Sequence, residues 1–313
     1  MNAKPFRAAV VQAGSIPFDA PATLAKLEGL IAQCAERRVQ LAVFPEAFVG
    51  GYPKGITFGA VVGARRPEGR DWFARYFGAA IAVPGAETAQ IGKACAKARL
   101  FAVVGAIERD GATLYCSALF FGPDGALLGK HRKLMPTAAE RLIWGYGDGS
   151  TLPVFDTPHG RLGAVICWEN YMPMLRMAMY AKNVQLYCAP TADDRDTWLP
   201  TMQTVALEGR CFVLSACQYV ARGAYPADYP CELSNDPGFV LMRGGSCIVS
   251  PLGRMLAAPD FSGETILEAE IDPADIVRGK YDFDVAGHYA RPDVFTLQVN
   301  EAPQPAVRHA SNV

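Results

Sequence analysis

Two apolar runs, Ala8-Ala9-Val10-Val11-Gln12-Ala13 and Leu41-Ala42-Val43-Phe44, flank a segment in which Leu24, Leu27, Leu30, Ile31 and Cys34 recur at helical spacing. The runs read as core strands and the segment between them as an amphipathic helix reaching about Arg38. Asp19 is placed to cap that helix, with Pro21 in its first turn. Strands joined by a helix of this length pair in parallel, as a βαβ unit. This one feature restricts the chain to folds in which helices cover a largely parallel or mixed sheet.

The remainder keeps the same alternation. A loop rich in Gly and Pro follows Glu46, and the chain to about Pro84 is irregular, with a short helix near Asp71 to Phe77. Helical spacing returns over Glu87 to Arg99, followed by a strand over Phe101 to Ile107. Leu114 to Phe121 and Ala126 to Lys130 flank the turn Gly122-Pro123-Asp124-Gly125 and read as a hairpin. The run Leu162 to Ile166 is a buried strand that stops at Cys167-Trp168-Glu169-Asn170, after which a helical pattern takes over. Helices over 173–182 and 197–209 alternate with strands over 185–189 and 212–217. Residues 219–243, rich in Pro, Tyr and Asp, read as a long surface excursion. A hairpin about Pro251 to Gly253, a strand over 265–271 and a short helix from Asp272 or Pro273 complete the pattern. The reading is one α/β domain over 1–300 with a mixed sheet or two stacked sheets, and a mobile tail over 301–313.

Composition narrows the functional classes. The formal net charge of -1 offers no electrostatic case for nucleic acid or an anionic membrane. No apolar run approaches the length of a membrane span, and the N-terminus lacks the apolar core of a signal peptide. The 9 cysteines are odd in number and form no Cys-x-x-Cys pair, which argues against a disulfide framework or structural zinc and for the cytoplasm.

Three residues share one kind of position. Glu46 and Cys167 end core strands, and Lys133 follows a strand. Chemistry in α/β folds gathers where strands give way to loops. A cysteine at a strand-to-helix junction is expected to have its thiol pKa lowered by the helix N-terminus. A carboxylate beside it could take the thiol proton, and an ammonium could stabilise developing charge. Taken singly, each also fits a blander role: a small core thiol, a solvated loop carboxylate, or part of a polar His131-Arg132-Lys133 surface. A Cys–His device would need a histidine beside the thiol. His159 falls at the far end of the Cys167 strand, His309 in the tail, and His288 near the pocket or a subunit contact. No Gly-x-Ser-x-Gly, P-loop or dinucleotide fingerprint is present.

Phe44-Pro45-Glu46-Ala47-Phe48, His131-Arg132-Lys133-Leu134-Met135-Pro136 and Val165-Ile166-Cys167-Trp168-Glu169-Asn170 together resemble the three signatures of the nitrilase (carbon–nitrogen hydrolase) superfamily. The resemblance spans roughly residues 6–298. It implies a four-layer α-β-β-α sandwich with mixed sheets, a Glu46–Lys133–Cys167 triad and a supporting Glu140. Cys-Trp-Glu, with Glu140 to Gly145, is similar to the true nitrilase branch. That branch hydrolyses an organic nitrile to the carboxylic acid and ammonia through a thioimidate and a thioester, without metal or organic cofactor. An amidase using the same triad is the alternative. Tyr52, Trp144, Trp168 and Thr191 are candidate substrate-binding residues, with core packing as their other reading. The resemblance also implies dimers, often built into larger spirals, with 219–243 a candidate contact. Many nitrilases run further past the stretch matching Arg291-Pro292, which leaves filament formation open.

Overall fold

The computed structural model describes residues 4–307. β1 (Phe6–Gln12), α1 (Ala20–Glu36) and β2 (Leu41–Val43) form the expected parallel unit, with Ala8 opposite Leu41. The Asp19 carboxylate accepts the Ala22 N–H at 2.9 Å and caps α1. A small hairpin, β3 (Ala60–Val61) and β4 (Ala64–Arg65), precedes α2 (Pro67–Ala79), which is longer than the short helix expected near Asp71 to Phe77. Then come α3 (Ala86–Ala98), β5 (Phe101–Asp110), β6 (Thr113–Phe121) and β7 (Leu127–Arg132). β5, β6 and β7 are an antiparallel meander, including the hairpin about Gly122 to Gly125.

The second half repeats the plan: β8 (Val154–Thr157), β9 (Gly160–Ala164), α4 (Pro173–Ala181), β10 (Leu186–Cys188), α5 (Trp198–Gly209) and β11 (Phe212–Ser215). β12 (Tyr219–Ala221) pairs with β13 (Val240–Arg243); β14 (Cys247–Val249), β15 (Met255–Ala257), β16 (Thr265–Ile271) and α6 (Ala274–Lys280) follow.

Two six-stranded sheets result, in the orders β16-β1-β2-β5-β6-β7 and β15-β14-β11-β10-β9-β8. Each has three parallel strands at its centre, β1, β2 and β5 in one and β9, β10 and β11 in the other, with antiparallel strands outside. The pleat explains why the central strands are continuously apolar. Ala8, Val10, Leu41 and Val43 point into the core between the sheets, where they meet Leu162, Ala164, Leu186 and Leu214. Ala9, Val11 and Ala42 point the other way, onto Leu24, Leu27 and Ile31 of α1 and Ile91 and Cys95 of α3. Val165, Tyr187 and Val213 likewise pack under Met179 of α4 and Met202 and Val205 of α5. Both faces of both sheets are covered, so the architecture is the expected α-β-β-α sandwich.

The 219–243 stretch is only partly a surface excursion. Tyr225, Tyr229 and Cys231 are buried and pack with Phe18, Tyr52 and Trp72, and the Tyr225 hydroxyl donates to the Tyr52 carbonyl at 2.7 Å. Three aromatic or thiol side chains in a polar segment supply enough apolar surface to fold it back onto the body. Near the C-terminus, Glu301 pairs with Lys182 at 2.6 Å, and the Gln304 N–H donates to Asp148 at 2.8 Å. Residues 308–313, including His309 and the end of the expected mobile tail, lie outside the described residues.

Candidate active site

Glu46 sits just beyond β2, in a bulge after which the chain rejoins β5 in the same parallel sense: the Phe44 and Val49 N–H groups donate to Val103 and Gly105 carbonyls at 2.8 and 3.0 Å. Ala47 takes up the turn with φ of +51°. Gly105 makes this approach possible, since a Cβ there would lie 2.0 Å from the Pro45 carbonyl oxygen and 2.8 Å from Glu46 Cα. The Gln218 side chain donates to the Glu46 carbonyl at 2.9 Å.

Lys133 follows β7, held by its N–H to the Cys116 carbonyl at 2.8 Å. Its buried Nζ donates to Glu46 Oε1 and to Glu140 Oε2, each at 2.7 Å. Glu140 lies in a short 3-10 turn, Ala138–Leu142, and its Oε2 also accepts the Thr137 N–H at 2.6 Å. Its Oε1 accepts the Tyr52 hydroxyl at 2.6 Å. Glu140 is buried, and so is Lys133, which is therefore not part of an exposed basic patch.

Cys167 comes just after β9 with φ of +52°, in the left-handed region that a non-glycine residue occupies at a cost. Its N–H donates to the Pro190 carbonyl at 2.9 Å. Its Sγ accepts from the Thr191 hydroxyl at 3.2 Å, and the same hydroxyl oxygen accepts the Asp193 N–H at 2.9 Å. Trp144 is buried, edge-on to Tyr52 at 5.8 Å and with Lys133 Nζ 5.5 Å from its ring centre. Trp168 is 41% exposed. Its indole N–H donates to Asp193 at 2.8 Å, and the Arg195 guanidinium lies 4.7 Å over its ring. An open cavity of about 730 Å³ lies beside the Glu140 turn, lined by Phe58, Val62, Phe73, Leu142 and Ile143; Glu46, Lys133 and Cys167 do not line it.

The charges are tightly coupled. Burial pushes the Glu46 carboxyl up, Lys133 pulls it down and Glu140 pushes it up again; the net direction is upward. Burial alone would pull the Lys133 ammonium down, but Glu46, the Cys167 sulfur and Glu140 outweigh it and hold it well above the usual lysine range. Burial, with Glu46 next, drives the Cys167 thiol up, against the pull of Lys133. This corrects the expectation of a thiol acidified by a helix. The segment after Cys167 is a 3-10 turn of five residues, Cys167–Tyr171, with α4 starting only at Pro173, and burial dominates so short a dipole. The shift favours the protonated thiol, so nucleophilic use of Cys167 would require a base.

Among the described residues, no histidine is placed to be that base. His131 is buried with Nδ1 2.7 Å from the Thr151 carbonyl and Nε2 2.9 Å from Glu169 Oε2, so both ring nitrogens are engaged. His159 stacks on Phe6 at 4.4 Å at the far end of β9, as expected. His288 is exposed and packs against Tyr289.

Sequence reasoning passed over three residues. Glu169 is buried and accepts the Leu134 N–H at 2.6 Å and the Ile166 N–H at 2.9 Å besides facing His131. Its one local signal is a carboxylate in an otherwise apolar strand-to-turn junction. Cys116 Sγ lies 3.5 Å from Glu46 Oε1, yet in the sequence it is one thiol in an apolar strand. Gln218 likewise carries no local mark.

A strand-end carboxylate, ammonium and thiol on this sandwich can be compared with known proteins. The family model for carbon–nitrogen hydrolases matches residues 7–281. The chain belongs to that family. This carbon–nitrogen hydrolase is 61% identical over 308 residues to a nitrilase of Bradyrhizobium diazoefficiens, covering 98% of this chain and 96% of the relative. It is 62% identical over 302 residues to an aliphatic nitrilase of Sinorhizobium fredii, covering 96% and 98%. A carbon–nitrogen hydrolase from Helicobacter pylori G27 superposes with a TM-score of 0.70 at 20% identity, over 90% of this chain and 93% of that one, a likeness of fold. The chain is a hydrolase acting on carbon–nitrogen bonds.

Proposed function

We propose that this hydrolase converts organic nitriles to the carboxylic acid and ammonia, with Cys167 as nucleophile, Glu46 as proton acceptor, Lys133 as charge stabiliser and Glu140 as the residue that holds Lys133. The observation that carries the reading is the buried Glu46–Lys133–Glu140 chain, two contacts of 2.7 Å, within electrostatic reach of the Cys167 thiol. The relatives named nitrilase, at 61% and 62% identity, favour the nitrile as substrate.

Cys167 sulfur adds to the nitrile carbon as its proton passes to Glu46, and that proton goes on to the nitrogen, giving a thioimidate. Lys133 and the Trp168 N–H stabilise the charge on nitrogen. Water, activated by Glu46, adds next, and the protonated nitrogen leaves as ammonia. The thioester that remains is released as the acid by a second water. Two waters are consumed for each nitrile. Because Lys133 and two carboxylates keep the nitrogen protonated, ammonia leaves in preference to sulfur. Acid is the main product, and amide is a minor one from poorly fitting substrates. Tyr52, Trp144, Trp168 and Thr191 are assigned to the walls of the substrate site, the first and last by their bonds to Glu140 and Cys167.

Residues 1–300 are read as one hydrolase domain. The working form is taken as a dimer or larger assembly of this chain, checked by light scattering; a fully active monomer at every concentration would contradict it. Among the described residues no helix is long and apolar enough to cross a membrane. All 9 cysteines are unpaired, which favours a reducing cytoplasm.

The test is a panel of aliphatic, aromatic and arylalkyl nitriles beside their matching amides, with ammonia and organic products measured together. The reading predicts acid and ammonia from nitriles. Rapid turnover of amides with none of any nitrile would replace it with an amidase using the same residues.

A further inference from the structure

Cys116 touches the triad twice from the middle of β6. Its carbonyl accepts the Lys133 N–H at 2.8 Å, and its thiol lies 3.5 Å from Glu46 Oε1. It is 1% exposed, and its backbone is fixed opposite Ile107 in the sheet. The position is therefore rigid, and the thiol's hydrogen bond is directed to Glu46. Burial, then Glu46, pushes the thiol well above the usual cysteine range, so it keeps its proton and acts as donor.

The two oxygens of Glu46 are unequal as a result. Oε1 receives both Lys133 Nζ at 2.7 Å and the Cys116 thiol. Oε2 has no partner in hydrogen-bond geometry among the described residues, while the nearby Cys167 thiol acts to lower the Glu46 pKa. A carboxylate held by one donor can turn about its last bond and present either oxygen to that donor. A second donor on the same oxygen removes that freedom.

We propose that Cys116 is a positioning residue that donates its thiol proton to Glu46 Oε1, so that Oε2 is the oxygen left to take the proton of Cys167. The inference rests on the reading of Glu46 as proton acceptor. The groups facing Glu46 are Lys133 from the end of β7, Glu140 from its 3-10 turn, Cys167 from the end of β9, Cys116 from β6 and Tyr52 from the loop after Glu46. Of these, the Cys116 thiol and the Lys133 ammonium donate to Oε1. Removing the thiol donor disfavours the ionised carboxylate, so Glu46 holds its proton to a higher pH.

The experiment compares Cys116→Ala, Cys116→Val and Cys116→Ser with wild type on one hydrolysed nitrile, measuring kcat, KM, thermal stability and the pH profile of kcat/KM. Val fills the space without a donor, and Ser restores a donor. Ala and Val are expected to lower kcat roughly tenfold, about 1.4 kcal/mol and the scale of one hydrogen bond, with KM little changed. The acid limb of kcat/KM should move to higher pH in both, and Ser should lie closer to wild type in both readouts. If Ala does not fold, Val and Ser carry the comparison. A Val protein with wild-type kcat and an unmoved acid limb overturns the proposal, as does Ser behaving no better than Val. Glu46→Gln is measured alongside. Full turnover by that variant would overturn the proton-acceptor reading itself, whereas an inactive Glu46→Gln with a normal Cys116→Val overturns the role of Cys116 alone.

Discussion

Glu169 Oε2 lies 2.9 Å from His131 Nε2, and solvent reaches neither side chain. Glu169 follows Cys167 by two residues, and His131 precedes Lys133 by two. The same carboxylate accepts the N–H of Leu134, next to Lys133, and of Ile166, next to Cys167. One buried side chain thus pins together the two strand ends that carry the thiol and the ammonium. Glu169→Ala would leave an imidazole, the buried Ile166 N–H and the half-buried Leu134 N–H without their acceptor. Unfolding in denaturant should show a loss of about 3–5 kcal/mol, the usual scale for removing one partner of a buried pair. A loss under about 1 kcal/mol would mean that water or a neighbour replaces the carboxylate.

The pair also carries a pH signature. Both ring nitrogens of His131 face acceptors, the Thr151 carbonyl and Glu169, and this arrangement suits the doubly protonated ring. Burial pulls its pKa down, Glu169 pulls it up, and the net direction is above the ordinary 6.5. A raised folded-state value stabilises fully below the unfolded value and fades as pH rises through the folded one. The stability gap between wild type and His131→Gln should therefore be widest below about pH 6.5 and narrow at higher pH. Thermal melts across pH measure it; a gap that widens with pH contradicts a doubly protonated His131.

Lys133 and Glu140 form the next comparison. If Lys133 supplies charge to the reacting nitrogen, Lys133→Met should lower kcat by roughly 10²–10³, about 3 kcal/mol, as removal of an oxyanion donor does. Glu140→Gln should also lower kcat, because Lys133 loses one of two anionic partners and Tyr52 a strong acceptor. Steady-state rates near wild type in both variants would remove these residues from the reaction.

Gly105→Ala tests how Glu46 is held. The new Cβ would meet the Pro45 carbonyl and Glu46 Cα inside contact distance, and these are backbone atoms that cannot swing aside. The substitution should cost about 1–3 kcal/mol of stability, typical of an overpacked site, and lower kcat by displacing the carboxylate. Unchanged kcat would mean that the Glu46 loop moves without consequence.

Much of this was legible in the chain. The apolar run of β1, the helical spacing of Leu24 to Cys34 and the run of β2 dictate a parallel unit, because local pattern and connection length both act within about one element. Glu46, Lys133 and Cys167 stand out because each interrupts or follows an apolar strand. What stayed hidden depends on distance in sequence. Cys116 meets Glu46 across 70 residues within one sheet, and His131 meets Glu169 across 38 between the two sheets, contacts that only the assembled fold creates. The direction of the Cys167 shift is hidden for the same reason: a switch to helical pattern is visible locally, whereas burial between two sheets is a property of the whole fold. Residues 219–243 read as surface because their Pro and Asp content outweighs scattered buried side chains such as Tyr225, Tyr229 and Cys231 in any local window.

The central claim is that a nitrile becomes covalently attached to Cys167 on its way to the acid. Mixing the protein with excess nitrile, quenching in acid within a turnover and mapping the modified peptide by mass spectrometry tests it directly. The account predicts an acyl adduct on the peptide bearing Cys167, loss of that adduct after hydroxylamine treatment, and neither adduct nor ammonia with a folded Cys167→Ala protein. Ammonia released by Cys167→Ala at a substantial fraction of the wild-type rate, or an adduct mapped to Cys116 or another thiol, would contradict it.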